Sequence, residues 1–594
     1  MSEQRKTNRR DFIVGAATGV ASVALLSTAA CSEEEPKDQK PKSLSDNVGT
    51  SEDGKGVSIT VNDVEGAEKL MDVNFTSKER EQIVEGIESQ IEAMRASRAF
   101  AAPNELAPAQ VFSPRIPGKD YGSQANNVSL RKASTPPLPS SADDIAFAPL
   151  THLASWVKNK KISSSELTEI YLKRIATHGP RLECFVTVTA DLARQQAKIA
   201  DTEIANGRYR GPLHGIPYGV KDLMDTAGIK TTWGAMPYKD RVANQDAIIV
   251  TRLREAGAVL IGKTTCGALA YGDIWFDGKT RNPWNTEEGS SGSSAGSASA
   301  TGAGLVGFSI GTETLGSIVS PSQRCGTTGL RPSFGRVART GTMALCWSLD
   351  KIGPICRGVE DTALVLAAIN GGDVTDPSSA TTGFYYDGAA DPKNLTIGFA
   401  PEWFENANAV ERNAFETAKS LGFNLKEIKV PDINFGAMVQ NLVAEAAAAF
   451  EELTLSNRDD LLVWQEAQSW PNSFRTARFL SAVDYINLDR MRRQAMIEMD
   501  AMFASVDAII GPNYAGGMLT ATNYTGQPQL TFRAGFQSIP SRTGFGNNEN
   551  KDAVKHRVTH NFSVWAPMYQ EHNALIVGRA LEEALDVRDA KPRL

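Results

Sequence analysis

GSSGSSAGSASATGAGLVGFSIGTETLGS, residues 289–317 of a 594-residue chain, consists almost entirely of small side chains. Glycine and serine at this density ordinarily make a flexible linker. The apolar block at 303–310 argues against that, because a solvated linker has no use for it. Glycine-rich backbone inside a folded core points instead to a chain that turns sharply and aims N–H groups at something. Two hydroxyls in the stretch carry the interest, Ser293 and Ser317. Upstream, Lys221 lies in GIPYGVKDLMDTAG (215–228), between apolar residues and glycines. A lysine in that setting is a candidate for burial, and burial favours the neutral amine. A neutral lysine with hydroxyls beside it can drive nucleophilic acyl chemistry without histidine.

Working outward, the pattern from residue 143 on is α/β. Segments 163–177 and 191–206 read as amphipathic helices, and 248–256 as a helix followed by a buried strand at 258–261. Short apolar strands alternating with helices argue for a central sheet covered on both faces. Before this region, Thr76 and Glu79 form a capping-box pair, followed by Ile83, Ile87, Ile91 and Met94 at helical spacing. Residues 32–61 are charged and read as disordered. Residues 101–141, rich in Pro, Ser and Asn, read as a loop or wrapping arm. The expected organisation is a signal at 1–31, a linker and helical extension at 32–140, and a catalytic domain at 141–594.

Three elements in order carry a family resemblance. They are Gly219-Val220-Lys221-Asp222, then Ser291-Gly292-Ser293-Ser294-Ala295-Gly296-Ser297, then Glu313-Thr314-Leu315-Gly316-Ser317-Ile318-Val319. Together they resemble the amidase signature family of serine hydrolases. Flanking pieces agree: PLHGIPYGVKD (212–222), NPWN (282–285), CGTTGLRPSFGRVARTG (325–341) and SLDKIGP (348–354). The resemblance implies a mixed, twisted sheet surrounded by helices, a small-molecule amide substrate, and neither cofactor nor metal. It implies that Ser317 is the nucleophile, that Ser293 is a bridging serine held through a cis peptide, and that Lys221 is the base. Backbone N–H groups of Thr314, Leu315, Gly316 and Ser317 would form the oxyanion hole. The chain departs from the family pattern at Glu313 for Asp, Leu315 for Gly, Val319 for Arg and Ala295 for Gly. Leu315 is expected to narrow the acyl side of the pocket, whose walls are expected from 373–547.

Several rival patterns are present. Residues 257–264 fit a P-loop expression, but the interior Ala-Val-Leu-Ile reads as a strand, not a phosphate cradle. Gly292-Ser293-Ser294-Ala295-Gly296 fits a nucleophile elbow centred on Ser294, with His556, His560 or His572 as base; the elbow requires an apolar strand before it, which 284–289 is not. Ser348 to Lys351 fits S-x-x-K without its companion motifs and reads as a loop at the pocket rim. His556 and His560 have the spacing of a helical metal pair, without H-E-x-x-H; His214 reads as structural. The rival functional classes are a non-catalytic binding protein that kept the fold and a component of a transamidase.

Composition narrows the classes further. Apolar residues make up 41%, charged residues 22%, and the net charge is −7. No basic, aromatic-interleaved patch points to nucleic acid. At the N-terminus, Arg9-Arg10 precedes an apolar run at 12–26, the layout of a twin-arginine export signal. Small residues before Cys31 resemble a lipoprotein processing site, with Thr28 where leucine is usual; cleavage near Ala30 is the alternative. The expected location is therefore periplasmic, or on a membrane through a lipid on Cys31. Five further cysteines at no CxxC spacing indicate neither a disulfide framework nor a zinc site.

Overall fold

A computed structural model describes residues 59–594 except 101, 123, 132–134 and 544–552. The expected export signal, Cys31 and most of the segment expected to be disordered, up to residue 58, lie outside the described residues.

The chain enters through two helices, α1 (Val61–Met71) and α2 (Ser77–Ala99), each opened by a capping box. In α2 the Thr76 N–H donates to Glu79 at 2.7 Å and the Glu79 N–H donates back to Thr76 Oγ1 at 3.4 Å. Arg80 ties the pair together by a bidentate contact to Glu68, 2.8 Å on both arms. Ile83, Ile87 and Ile91 are only half-buried, and α2 buries no residue fully.

Eleven strands then form one mixed sheet. In chain order they are β1 (Phe185–Val188), β2 (Pro217–Lys221), β3 (Val259–Thr264), β4 (Phe308–Glu313), β5 (Thr328–Arg331), β6 (Lys351–Cys356), β7 (Thr396–Phe399), β8 (Asn424–Glu427), β9 (Ala508–Pro512), β10 (Gln529–Pro540) and β11 (Lys555–Trp565). Across the sheet the order is β8-β7-β9-β11-β10-β5-β6-β4-β2-β3-β1. β2 runs parallel to both of its neighbours, β3 and β4, whereas β6 is antiparallel to β4 and to β5.

The helices that flank the sheet follow from local signals. α3 (Ser164–Leu182) begins at a capping box: Glu166 N–H donates to Ser163 Oγ at 3.0 Å, and Ser163 N–H donates to the Glu166 carboxylate at 2.8 Å. It runs past the expected end and through Pro180, because Leu182 is buried and extends the apolar face of Leu167, Tyr171 and Ile175. A proline in the last turn removes only one helical hydrogen bond. α4 (Ala190–Ala205) and α5 (Ile248–Glu255) lie close to their expected places. β3 continues three residues beyond 261 because Lys263 finds buried partners, the Met224 carbonyl at 2.5 Å and Thr231 Oγ1 at 2.7 Å. The arm at 101–141 contains one short strand, Asn127–Ser129, paired parallel with Tyr385–Asp387.

One apolar core covers the sheet, with Ile216, Tyr218, Val220, Ile310, Ile352 and Phe562 all fully or nearly fully buried. Each such side chain contributes about 1.5–3 kcal/mol, and together they hold the strand ends in place around the glycine-rich site. Among the described residues no helix is long and apolar enough to cross a membrane, and five cysteines are free and buried.

Candidate active site

Lys221 is the last residue of β2, between the two strands that run parallel to it. Gly219, two residues earlier, lets those strands close up: a Cβ there would stand 2.7 Å from Thr264 Cγ2. The Lys221 side chain is fully buried. Its Nζ lies 2.8 Å from Ser293 Oγ and 2.8 Å from Thr312 Oγ1. Burial pushes the amine down to about 8, and the Asp350 and Glu313 carboxylates around it only partly oppose that.

Ser293 follows Gly292 through a cis peptide bond. No side chain fits at Gly292, where a Cβ would meet the Gly272 carbonyl oxygen at 1.8 Å. Beside it, Ser291 Oγ lies 2.6 Å from Ser320 Oγ. Ser294 then opens α6 (Ala295–Gly302). Its hydroxyl donates to the Thr312 carbonyl at 3.0 Å and accepts from the Thr312 N–H at 3.1 Å. Its own N–H donates to the Ser317 carbonyl at 3.1 Å. One serine therefore pins the catalytic-turn candidate to the end of β4.

That turn, 314–317, leads from β4 into α7 (Val319–Cys325). Gly316 takes φ +90°, which a glycine adopts without strain. Ser317 retains 8% exposure. Thr314 Oγ1 donates to Asp350 at 2.6 Å. Leu315 is half-buried and packs against the apolar cluster that contains Leu269, Leu345 and Trp403.

Glu313 binds the turn from below. Its carboxylate accepts the N–H groups of Ile318 (2.9 Å) and Val319 (3.0 Å), Arg331 (2.9 Å) and Asn523 (2.9 Å). Burial pushes this carboxyl up, but Arg331 and these donors outweigh it and hold the group below its ordinary value. The departures at 313 and 319 thus belong together. Val319 is buried and apolar, and the cation comes from Arg331 on β5, within reach of the longer glutamate. Arg331 sits in the flanking motif 325–341 but carried no assigned role there. Thr312 and Asn523 had no local signal: their partners lie 91 and 210 residues away in the chain.

The rival patterns resolve differently. Ser294 does follow a strand, Asn285–Gly289, but that strand is polar, pairs only with Arg281–Asn282 and stands outside the main sheet. The Ser294 hydroxyl is committed to Thr312 on both sides. His556 and His560 lie on strand β11, not on a helix, with Nε2 3.1 Å from Glu287 and 2.9 Å from Glu411 respectively. His572 packs edge-on against Tyr385. Lys263, the lysine of the P-loop match, is buried 3.5 Å from Asp222. Ser348 is held between Glu445 (2.5 Å) and Arg492 (2.9 Å). His214 accepts from the Arg210 N–H at 3.1 Å.

A cavity of about 540 Å³ adjoins the turn, with Thr312 and Thr314 in its wall beside Leu223, Trp233, Met343 and Asp350. Of the segment 373–547, residues 375–377 line this cavity, and Leu519 stands beside Gly316 of the turn. The connections after β2 and between β5 and β6 fold over this end of the sheet, joined by residues 104–107 of the N-terminal arm.

Known proteins match this architecture. The family described as Amidase matches residues 166–534. One glutamyl-tRNA(Gln) amidotransferase component, from Coxiella burnetii (strain Dugway 5J108-111), is 31% identical over 466 residues, 70% of this chain and 96% of that protein. The same-named component from Roseiflexus sp. (strain RS-1) is 39% identical over 307 residues, and there the chain spans 61% of the relative's length. The native peptide amidase of Stenotrophomonas maltophilia has a solved structure that is 27% identical, with a TM-score of 0.63 over 75% of this chain and 98% of that one. With a matching family region across more than half its length and a relative covered almost from end to end, this chain belongs to the amidase family.

Proposed function

We propose that this chain hydrolyses the C–N bond of a carboxamide through a serine acyl-enzyme, with Lys221, Ser293 and Ser317 as its catalytic residues. The observation that carries the reading is the buried Lys221 amine, 2.8 Å from Ser293 Oγ and hydrogen-bonded to two hydroxyls. An amine lowered to about 8 by burial is substantially neutral at mildly alkaline pH. It takes the proton of Ser293 as Ser293 takes that of Ser317. Ser317 Oγ attacks the carbonyl carbon, and the oxyanion forms against the N–H groups of the 314–317 turn. Pre-aimed donors of this kind contribute roughly 3–4 kcal/mol each. The proton returns through Ser293 to the departing nitrogen, which leaves poorly as an anion. Water then releases the acid.

Names of relatives support amide chemistry: one is a peptide amidase, others are components of an amidotransferase. The test is labelling by an uncharged fluorophosphonate with hydrolysis of a simple amide. Ser317→Ala is expected to abolish both and Ser293→Ala to cost two or more decades. Activity that survives Ser317→Ala but is lost in Ser294→Ala would replace this reading with the elbow. We further propose export, on the strength of Arg9-Arg10 before an apolar run. Fractionation of an Arg9→Lys, Arg10→Lys double variant checks this, and normal export of that variant would remove the twin-arginine route. Fatty-acid labelling lost in Cys31→Ala would show the lipid tether.

A further inference from the structure

The N-terminal arm reaches the cavity at Asn104. The Asn104 side chain donates to the Ala344 carbonyl at 2.8 Å and to the Ala449 carbonyl at 3.3 Å, and its Oδ1 accepts the Ala344 N–H at 2.8 Å. Its own carbonyl accepts Trp347 Nε1 at 3.3 Å. One residue thus fastens the arm to the loop between β5 and β6 and to a distant helix end. Glu105 and Ala107, beside it, complete the cavity wall. These residues precede the region that matches the family, residues 166–534.

The charges of the cavity do not balance. Arg241 is spent on Asp225, 2.7 Å on both arms, and Arg339 on Asp376 at 3.2 Å. Lys351 is buried against the Leu349 carbonyl, and burial pushes its amine well down. Asp246 pairs with Arg254 outside the lining, and two carboxylates remain without an ion pair. Asp350, beside the turn, accepts only neutral donors: Thr314 Oγ1, Leu345 N–H and Cys346 N–H. Glu105, at the rim, is exposed and forms no ion pair within 4 Å among the described residues, although its charge reaches Arg241. A substrate that places positive charge between these groups gains attraction at both ends; an anionic one meets repulsion.

We propose that residues 104–107 are a specificity-determining wall of the substrate cavity, and that Glu105 selects amides carrying a cationic group remote from the scissile carbonyl. The proposal rests on the amide-hydrolysis reading for its substrate class. Its test uses the full chain at pH 7 with two probes of matched shape, 6-aminohexanamide and heptanamide. The wild type is expected to favour the cationic amide in kcat/KM. Glu105→Gln should lower that preference roughly two- to five-fold, the range for an exposed charge pair, and Glu105→Lys should lower it further. The wild-type preference should shrink as salt rises through the screening range. Asn104→Ala, which unfastens the arm, should raise KM for the cationic probe while kcat is kept. Equilibrium binding of the same two amides to Ser317→Ala, with and without Glu105→Gln, reads the wall without catalysis. Absent turnover with a retained binding preference would sink the hydrolytic reading and leave the wall standing. A preference unchanged by both Glu105 variants, in binding and in turnover, overturns the wall.

Discussion

Two buried lysines stand on adjacent parallel strands, and the chain treats them in opposite ways. Lys221 ends β2 and Lys263 lies in β3, each with no exposed side-chain surface. Burial lowers both amines. At Lys263 the Asp222 carboxylate, 3.5 Å away, opposes that lowering, with the Met224 carbonyl and Thr231 hydroxyl as further acceptors. At Lys221 the direct partners are the hydroxyls of Ser293 and Thr312. The difference teaches what separates a strut from a base. A carboxylate partner opposes the loss of charge from a buried amine, whereas hydroxyl partners set no such charge against proton exchange. Asp222, next to Lys221 in sequence, turns its carboxylate to Lys263 and Thr232. Residue adjacency alone would have paired it with the wrong lysine.

The strongest way to break the comparison is to remove each lysine in turn. Lys221→Met is expected to lose two or more decades in kcat/KM, because it takes away the base of a unit whose losses are not additive. Its thermal unfolding should be unchanged or raised, since a buried charge disappears. Lys263→Met leaves the Asp222 carboxylate buried without its cation, and should cost about 3–5 kcal/mol of stability, read as a large drop in Tm. An inactive Lys263→Met protein with wild-type Tm, beside a poorly folded Lys221→Met protein, would exchange the two roles.

Acidity sharpens it next. kcat/KM should rise with pH along a limb centred near 8, as Lys221 loses its proton. The linked stability has a definite sign. The folded value is depressed below the unfolded 10.5, so the unfolded chain binds more protons between about 8 and 10.5. Stability contributed by this group therefore rises with pH across that window, by roughly 3 kcal/mol at most. In Lys221→Met that rise should vanish from pH-dependent denaturation. A kinetic limb that persists in Lys221→Arg or Lys221→Met at residual activity would assign the titration elsewhere.

The smallest effect is expected at Thr312. Thr312→Val removes one acceptor of the Lys221 amine while keeping the shape. It should cost about five- to tenfold in kcat/KM, the worth of one such hydrogen bond, and move the limb to lower pH because the charged amine loses an acceptor. A limb that moves to higher pH would show that Thr312 favours the neutral amine instead.

Much of this was legible from local chemistry. Capping boxes at Thr76 and Ser163 announce themselves within three residues, and both helices begin there. Glycines and apolar residues around Lys221 foretold its burial, because they leave no water beside the chain. The identity of its second partner was not legible, nor was the Arg331 that holds Glu313, nor Asn104 as a fastener. Each of these contacts joins residues far apart in sequence, from 18 for Arg331 to 345 for Asn104, and side-chain hydrogen bonds of that span leave no periodicity. Leu315, expected to narrow the acyl side of the pocket, packs against an apolar cluster that shares Leu223, Trp233, Met343 and Leu345 with the cavity wall. The segment 373–547 reaches this cavity only at 375–377, for a related reason. Cavity walls come from the connections that leave the sheet beside the site, and strand order, not sequence order, decides which those are.

Because β2, β3 and β4 run parallel, the chain leaves this edge of the sheet three times, and each exit carries one part of the proposed chemistry. Lys221 arrives on the first passage, Ser293 after the second and Ser317 after the third. No contiguous fragment shorter than this span contains all three proposed catalytic residues. A cut at the exposed loop tip near Lys239 and Asp240 would place the amine on one fragment and both hydroxyls on the other. Turnover by such a pair would then count how many molecules had found their other half, which makes this fold a natural split reporter.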